Sequence, residues 1–144
     1  KPNLNFLEIG SYEGRSCLWL LENVLTDPTS RITCVDWFWD QKYHERNGTS
    51  LEDSFYENLR GHLGKVSVYC GKSRDSLMKM QNYPQVFDFV YVDGSHEQTD
   101  VLDDLVMSFR LLKVGGHMVI DDYLYNAQGM VENPAVAIDA FLCV

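Results

Sequence analysis

Residues 6–16 read Phe-Leu-Glu-Ile-Gly-Ser-Tyr-Glu-Gly-Arg-Ser, and this stretch decides the fold. Its apolar first part predicts a buried strand ending at Ile9, and residues 16–25 carry apolar side chains at helical spacing. Between them, Gly10 and Gly14 lack the Cβ atom where the backbone has to bend or approach a ligand closely. A strand, a glycine turn and a helix N-terminus form the nucleotide-binding corner of open α/β sheets.

The spacing of these glycines argues against one class of nucleotide-binding enzyme. The dinucleotide fingerprint Gly-x-Gly-x-x-Gly is absent, which counts against a nucleotide-dependent oxidoreductase on a similar fold. Instead the glycines are four residues apart, and the acid Glu8 lies on the strand two residues before the first of them.

The composition is that of one soluble globular domain. A chain of 144 residues is long enough to bury about 70% of its unfolded surface. The net charge of −9 argues against nucleic acid as the main partner, because phosphate backbones need a basic surface. No apolar run approaches the roughly 20 residues of a membrane span and no signal peptide is visible, so we expect a cytoplasmic protein that binds no membrane.

The cysteines and the first residue support two further expectations. Cys17, Cys34, Cys70 and Cys143 form no Cys-x-x-Cys pair, so we interpret all four as free thiols in a reducing compartment and expect no zinc site. The chain begins at a lysine and reaches its first strand almost at once. We therefore expect a domain excised from a longer protein.

Strands and helices alternate along the rest of the chain. Further strands are predicted at residues 31–36, 65–69, 87–93 and 117–122, with a loop at residues 37–50. Helices follow Ser50, Gly71, Ser95 and Asn133, and Ser95 is the expected N-cap of the fourth, with Asp100, Asp103 and Asp104 toward solvent. This order predicts an α/β fold, a doubly wound, mostly parallel Rossmann-like sheet.

Polar residues collect at one edge of that sheet. Ligands of doubly wound sheets bind at the carboxyl ends of the strands. In this chain those ends carry Gly10, Asp36, Gly71, Asp93 and the pair Asp121-Asp122. That coincidence is the best argument from the residues for a functional site.

Asp36 and Trp37 follow the second strand. A carboxylate at this position can accept hydrogen bonds from both ribose hydroxyls of an adenosine, and we favour that role over a turn-forming aspartate. Trp37 is a candidate to stack on an adenine face, and a core or loop aromatic is nearly as good an interpretation. Glu13, Arg15 and Lys72 are most simply solvated charges.

Asp93, Asp121 and Asp122 are expected to converge, because the fourth and fifth strands should be neighbours about 4.8 Å apart. Carboxylates crowded together repel one another unless a cation or a proton compensates. Oxygen ligands suit a hard ion such as Mg²⁺. The alternative is that Asp121 and Asp122 only cap the next turn.

His96 is expected at the first position of the fourth helix, where the helix dipole disfavours imidazolium. A neutral imidazole there is a plausible general base. A supporting or merely exposed histidine is an equally good interpretation.

Residues 5–123 resemble class I S-adenosylmethionine-dependent methyltransferases, and within them the small-molecule O-methyltransferases of the catechol O-methyltransferase type. Residues 7–16 are similar to the first motif of that group, L-E-x-G-x-Y-x-G-x-S, and residues 71–74 are similar to its G-x-S-x turn. The resemblance implies cofactor contacts at Glu8, Gly10, Ser11, Tyr12, Gly14, Ser16, Asp36, Trp37, Ser73, Arg74 and Asp93. It also implies that Asp93, Asp121 and Asp122 are metal ligands, and it makes Asp93 and His96 the catalytic candidates.

The acceptor is expected to be a small molecule. His96 falls where catechol methyltransferases carry a catalytic lysine, whereas Asp121-Asp122-Tyr123 resembles the D-D-Y of the macrocin and aminocoumarin sugar O-methyltransferases. The resemblance therefore favours a hydroxyl of a sugar or secondary metabolite over a catechol. It implies direct transfer of the methyl group to an acceptor oxygen oriented by the metal.

The resemblance also implies that segments of the usual enzyme are absent. Such enzymes have helices before the first strand and two further strands at the end of the sheet. Residues 1–144 would then be one methyltransferase core that could dimerise through an exposed sheet edge. A non-catalytic module that only binds S-adenosylmethionine or a nucleotide is the alternative function.

Overall fold

The computed structural model describes residues 1–125 and 133–143. One parallel sheet of five strands has the order β3-β2-β1-β4-β5. Its strands are β1 (Asn5–Ile9), β2 (Arg31–Asp36), β3 (Val66–Cys70), β4 (Phe87–Val92) and β5 (Leu112–Ile120). The helices are α1 (Arg15–Asn23), α2 (Gln41–Asn47), α3 (Leu51–Asn58), α4 (Ser73–Met80), α5 (Gln98–Phe109) and α6 (Pro134–Leu142). The predicted doubly wound α/β fold is confirmed.

Strand β1 lies at the centre of the sheet, where Leu7 and Ile9 are buried on one face and Phe6 on the other. It pairs with β2 on one side, Ile9 opposite Val35, and with β4 on the other, Ile9 opposite Val92. One buried cluster packs β1 and β4 against α4, α5 and α6, and a second packs β1 and β2 against α1 and α3. The chain order reverses between β1 and β4, which is where ligands of such sheets bind.

The loop predicted at residues 37–50 was wrong, because it contains α2. The Asp40 carboxylate caps this helix by accepting a hydrogen bond from the Tyr43 amide at 3.0 Å, and Gly48 ends it with φ 69°. The segment is too short to show a clear apolar period. Its buried Tyr43 is the residue that holds it to the core.

The start of α5 also differs from the prediction. Glu97 is the N-cap, and the Ser95 hydroxyl accepts a hydrogen bond from the Glu97 amide at 3.2 Å in a local turn. His96 therefore lies in the loop before the helix and not at its first position. Asp104 is buried, not turned toward solvent as predicted, because α5 packs on both sides, against α4 and α6.

Strand β5 begins earlier than predicted. It starts at Leu112 and includes Gly115 and Gly116, which the sequence placed at the end of the preceding helical unit. The pairing of β4 with β5 shifts register between Phe87 and Phe89 to accommodate the extra residues. Among the helices that the structure describes, none has the length and apolar character needed to cross a membrane.

Candidate functional site

The glycine turn and the end of β4 touch one another at the centre of the sheet. Gly10 has φ 86°, and its amide donates to the Val35 carbonyl at 2.9 Å. A Cβ atom built on Gly10 would lie 1.8 Å from the carbonyl oxygen of Asp93. Only glycine fits here, so the turn and the first predicted metal ligand share one rigid junction.

Asp36 ties the same turn to β2. Its Oδ2 accepts a hydrogen bond from the Tyr12 amide at 2.7 Å, and its Oδ1 accepts one from the Phe38 amide at 2.6 Å. The bond to the Phe38 amide closes a local turn, which is the role that the sequence analysis gave as the alternative to ribose binding. Each carboxylate oxygen keeps a free lone pair, so the turn does not prevent Asp36 from accepting ribose hydroxyls.

The predicted adenine contacts lie beside Asp36. The Trp37 ring is 57% exposed, and the Lys72 ammonium stands 5.3 Å from its centroid, so Lys72 is not simply a solvated charge. Arg74 forms an ion pair with Asp103 on α5 at 3.1 Å. The Ser73 side chain interacts with the buried Asp104 carboxyl.

Glu8 lies beneath the turn and is fully buried. The Cys34 thiol donates to Glu8 Oε2 at 3.6 Å, and the two sulfurs of Cys34 and Cys17 are 3.5 Å apart. The hydrogen bond to Cys17 and burial raise the pKa of Cys34 well above its usual value, and burial raises the pKa of Glu8. We interpret this group as a hydrogen-bonded part of the core, in line with the free thiols that the sequence predicts.

Two buried oxygens near the turn lack partners. Glu8 Oε1 and the Ser11 hydroxyl make no hydrogen bond within the described part of the chain. Both residues were predicted to contact the cofactor, Glu8 at its methionine end. A polar ligand group that reached them would satisfy atoms that are costly to leave unpaired.

Strands β4 and β5 are neighbours, as predicted, and the acidic residues that follow them lie at the same edge of the sheet. Burial, together with the charges of Asp121 and Asp122, raises the pKa of Asp93 to about 6. The Tyr91 hydroxyl hydrogen-bonds to Asp121, which lowers the pKa of Asp121, and it lies 3.3 Å from Asp93 Oδ2. The cluster therefore carries more negative charge than its surroundings neutralise.

His96 joins this cluster through Asp122. Its Nε2 lies 2.8 Å from Asp122 Oδ2, and its ring stacks on Tyr125 with centroids 3.8 Å apart. Asp122 has φ 56°, an uncommon conformation for a residue with a side chain. The Asp121 side chain also caps the local turn, since its Oδ1 accepts from the Asp122 amide at 2.8 Å.

Two tyrosines of this site were not found from the sequence. Tyr91 is two residues before Asp93, so the strand period alone indicates that both side chains leave the same face of β4. Tyr125 offered no such signal, because its contact with His96 depends on the fold of the chain after β5.

The donor chemistry at this edge suits a hard cation, since Asp93, Asp121 and Asp122 offer only oxygens. Their side chains do not yet converge. Within the described ranges, the one set of three metal-binding groups with ligand atoms all within 4.8 Å is Glu8, Cys17 and Cys34. The expected convergence of the three aspartates on one point is therefore not seen among the described residues.

Comparison with known proteins identifies the family of this chain and finds solved structures with the same fold. A family model described as "Methyltransferase domain" matches residues 7–123. An uncharacterised protein of Acanthamoeba polyphaga mimivirus is 23% identical over 129 residues, which are 85% of this chain and 53% of that protein. The chain thus spans about half the length of the curated relative that it matches.

Solved structures with the same fold include methyltransferases of several kinds. A protein of Corynebacterium glutamicum superposes with a TM-score of 0.64 at 18% identity, covering 94% of this chain and 59% of its own. The MycE methyltransferase of mycinamycin biosynthesis, in complex with Mg and S-adenosylhomocysteine, gives 0.54 at 21% identity, covering 85% and 28%. A geranyl diphosphate C-methyltransferase of Streptomyces coelicolor gives 0.57 at 17% identity, covering 83% and 38%. These identities show the fold alone.

Proposed function

We propose that this chain, which belongs to the methyltransferase-domain family, transfers the methyl group of S-adenosylmethionine to a hydroxyl oxygen of a small molecule with the assistance of a divalent cation. The observation that carries the proposal is the arrangement at the ends of β4 and β5. There Asp93, Asp121 and Asp122 lie together, and His96 is within hydrogen-bond distance of Asp122. The acceptor class that we propose is a sugar, secondary-metabolite or catechol-like hydroxyl.

The cofactor would lie along the carboxyl edge, from the glycine turn to α4. The missing side chain of Gly10 lets the glycine turn pack directly against the Asp93 backbone, so the turn and the end of β4 would line one continuous edge for the ligand. Asp36 would hold the ribose, and the exposed Trp37 ring would flank the adenine with Ser73 and Arg74. Glu8, Ser11, Tyr12, Gly14, Ser16 and Asp93 would surround the methionine end.

The cation would be held by Asp93, Asp121 and Asp122, and Mg²⁺ is the ion that we propose. The raised pKa of Asp93 supports this assignment, because a cation would relieve the same repulsion that now favours a proton. A divalent ion bound there would supply the positive charge that lowers the pKa of the acceptor hydroxyl and orients it.

His96 is the proposed general base. With the Nε2 hydrogen donated to Asp122, Nδ1 is the basic nitrogen, and stacking on Tyr125 holds the ring plane. His96 would take the hydroxyl proton while the acceptor oxygen attacks the methyl carbon in line. The sulfonium sulfur then leaves with the bonding electrons as S-adenosylhomocysteine. The main contribution of the chain is positioning and electrostatics.

The test is calorimetric titration with S-adenosylhomocysteine, followed by incubation with S-adenosylmethionine and hydroxylated acceptors with and without Mg²⁺. We expect micromolar binding and a product that carries one added methyl group on oxygen. Methylation of nitrogen or carbon instead, located in the product by NMR, would exclude the O-methyltransferase assignment while leaving the family unchanged.

Substitution of Asp122 separates the metal from the cofactor. We expect Asp122→Ala to abolish the Mg²⁺ dependence of turnover and to leave the affinity for S-adenosylhomocysteine nearly unchanged, because Asp122 lies on β5's side of the site. His96→Gln should lower kcat and keep the Mg²⁺ dependence. Asp100→Ala, an exposed aspartate on α5, is the matched control. A metal titration of Asp122→Ala that equals the wild-type curve would remove the carboxylates from the metal site.

A cofactor-binding module without catalysis is the second candidate. The observation in its favour is that the three carboxylates do not converge on one point. It predicts binding of S-adenosylhomocysteine without Mg²⁺ enhancement and without turnover of any acceptor. Release of methylated product above the level of a His96→Gln, Asp122→Ala double variant would exclude it.

A further inference from the structure

The glycine turn that precedes α1 is held in an unusual backbone shape. Gly10, Tyr12 and Gly14 all have positive φ, at 86°, 47° and 79°. For Tyr12 such a conformation costs on the order of 1 kcal/mol or more. The turn therefore needs restraint from the residues around it.

Restraint comes from two sides. On the β2 side, Asp36 binds the Tyr12 amide. On the other side, Glu13 is held twice: its Oε1 accepts from the Tyr43 hydroxyl at 2.7 Å, and its backbone carbonyl accepts from Asn58 Nδ2 at 2.9 Å. Glu13 is consequently a fixed part of the structure, contrary to the expectation of a solvated charge.

Tyr43 contacts the turn at two points from α2. Its ring meets the Tyr12 ring edge-on at 5.7 Å between centroids, in addition to the bond between its hydroxyl and Glu13. Tyr43 itself is 6% exposed and belongs to the buried cluster around Phe55. Tyr12 is 46% exposed, so it presents an open surface on the side that Tyr43 does not cover.

We propose that Tyr43 is a positioning residue for cofactor binding: it holds the turn of residues 10–14 in the shape that receives the methionine end of S-adenosylmethionine, acting through Glu13 and the Tyr12 ring. The proposal rests on the cofactor assignment made above and extends it to α2. It makes α2 part of the binding site, although no role was predicted for this segment.

The test compares hydroxyl removal at two tyrosines. Tyr43→Phe keeps the ring packing and removes the hydroxyl that bonds to Glu13 and also interacts with Ser54. Tyr56→Phe removes a hydroxyl on α3, where the ring packs edge-on against Phe55. We expect Tyr43→Phe to weaken S-adenosylhomocysteine binding about tenfold and to raise KM for S-adenosylmethionine with little change in kcat. Tyr56→Phe should bind as the wild type does.

A double-mutant cycle identifies the route through Glu13. Glu13→Ala should weaken binding as Tyr43→Phe does, and the double variant should be no weaker than either. Glu13→Gln should restore most of the affinity, because its amide oxygen still accepts from the Tyr43 hydroxyl. Additive losses in the double variant, or equal losses in Glu13→Gln and Glu13→Ala, would overturn the proposal.

Hydrogen exchange of the free protein separates this inference from the proposed function. We expect faster exchange of the amides of residues 10–14 in Tyr43→Phe and unchanged exchange in Tyr56→Phe. Unchanged exchange in Tyr43→Phe would refute the positioning role of Tyr43 even if the wild-type protein binds S-adenosylhomocysteine. If exchange is faster in Tyr43→Phe but the wild-type protein binds no S-adenosylhomocysteine, the cofactor role and the proposed function are refuted together.

Discussion

At the scale of single residues, Asp36 carries two roles that a matched pair of variants can separate. Asp36→Asn keeps an oxygen for the Phe38 amide and so preserves the local turn, but it replaces the oxygen that accepts from the Tyr12 amide with a nitrogen; Asp36→Ala removes both acceptors. We expect both variants to weaken S-adenosylhomocysteine binding by about tenfold or more, because a charged acceptor of the ribose is lost. Thermal unfolding should change little for Asp36→Asn. If calorimetry shows wild-type affinity in Asp36→Asn, Asp36 does not bind the ribose and has only its structural role in the turn.

The buried Asp104 should make folding stability depend on pH. Burial raises its pKa to about 7 in the folded protein, against about 3.9 in an unfolded chain. At a pH between these two pKa values, the folded state binds more protons than the unfolded state. The free energy of unfolding therefore falls as pH rises through this range and is constant above about pH 7. The loss is on the order of 4 kcal/mol.

The variant Asp104→Asn isolates this effect. Urea unfolding of wild type and Asp104→Asn at pH 5 and pH 8 should show a smaller decrease for the variant. Asp75→Asn, an exposed aspartate on α4 that is not among the charges acting on Asp104, should keep the wild-type decrease. Equal decreases in all three proteins would show that Asp104 ionises normally.

At the scale of elements, the sequence predicted the strands and the longer helices but not α2. Strands β1 and β4 are recognisable because mostly apolar runs end at Gly10 and Asp93. Helix α2 has no such run, and its ends depend on the Asp40 cap and the Gly48 conformation. The site followed the same rule: residues at strand ends were found, whereas Tyr43 and Tyr125 depend on contacts between distant segments.

The cap of α2 gives a prediction for that element. Asp40→Ala should destabilise α2 by about 1 kcal/mol, because the Tyr43 amide loses its acceptor. Hydrogen exchange of residues 41–47 should increase while exchange in β1 stays unchanged. Asp40→Asn keeps an acceptor oxygen and is the control. If Asp40→Asn and Asp40→Ala exchange equally fast, the cap contributes nothing.

At the scale of the whole molecule, one junction joins the fold to the site. The C-terminal ends of β1 and β4 meet at Gly10, whose missing side chain leaves room for the Asp93 backbone. Residues on the glycine-turn side are proposed to bind the cofactor, and those on the Asp93 side to bind the cation. The distance between the two halves of the site is therefore set by the packing of two central strands.

This junction predicts a large effect for a single methyl group. In Gly10→Ala, the new Cβ would stand 1.8 Å from a backbone oxygen that cannot rotate away, at φ 86°. We expect a loss of several kcal/mol in the free energy of unfolding, since β1 and β4 must separate at the centre of the sheet. Gly61→Ala, where a Cβ meets nothing within 4 Å, is the control for urea unfolding. A Gly10→Ala protein as stable as Gly61→Ala would mean that the two strands do not meet at this point. The cofactor side and the cation side of the site would then share no junction.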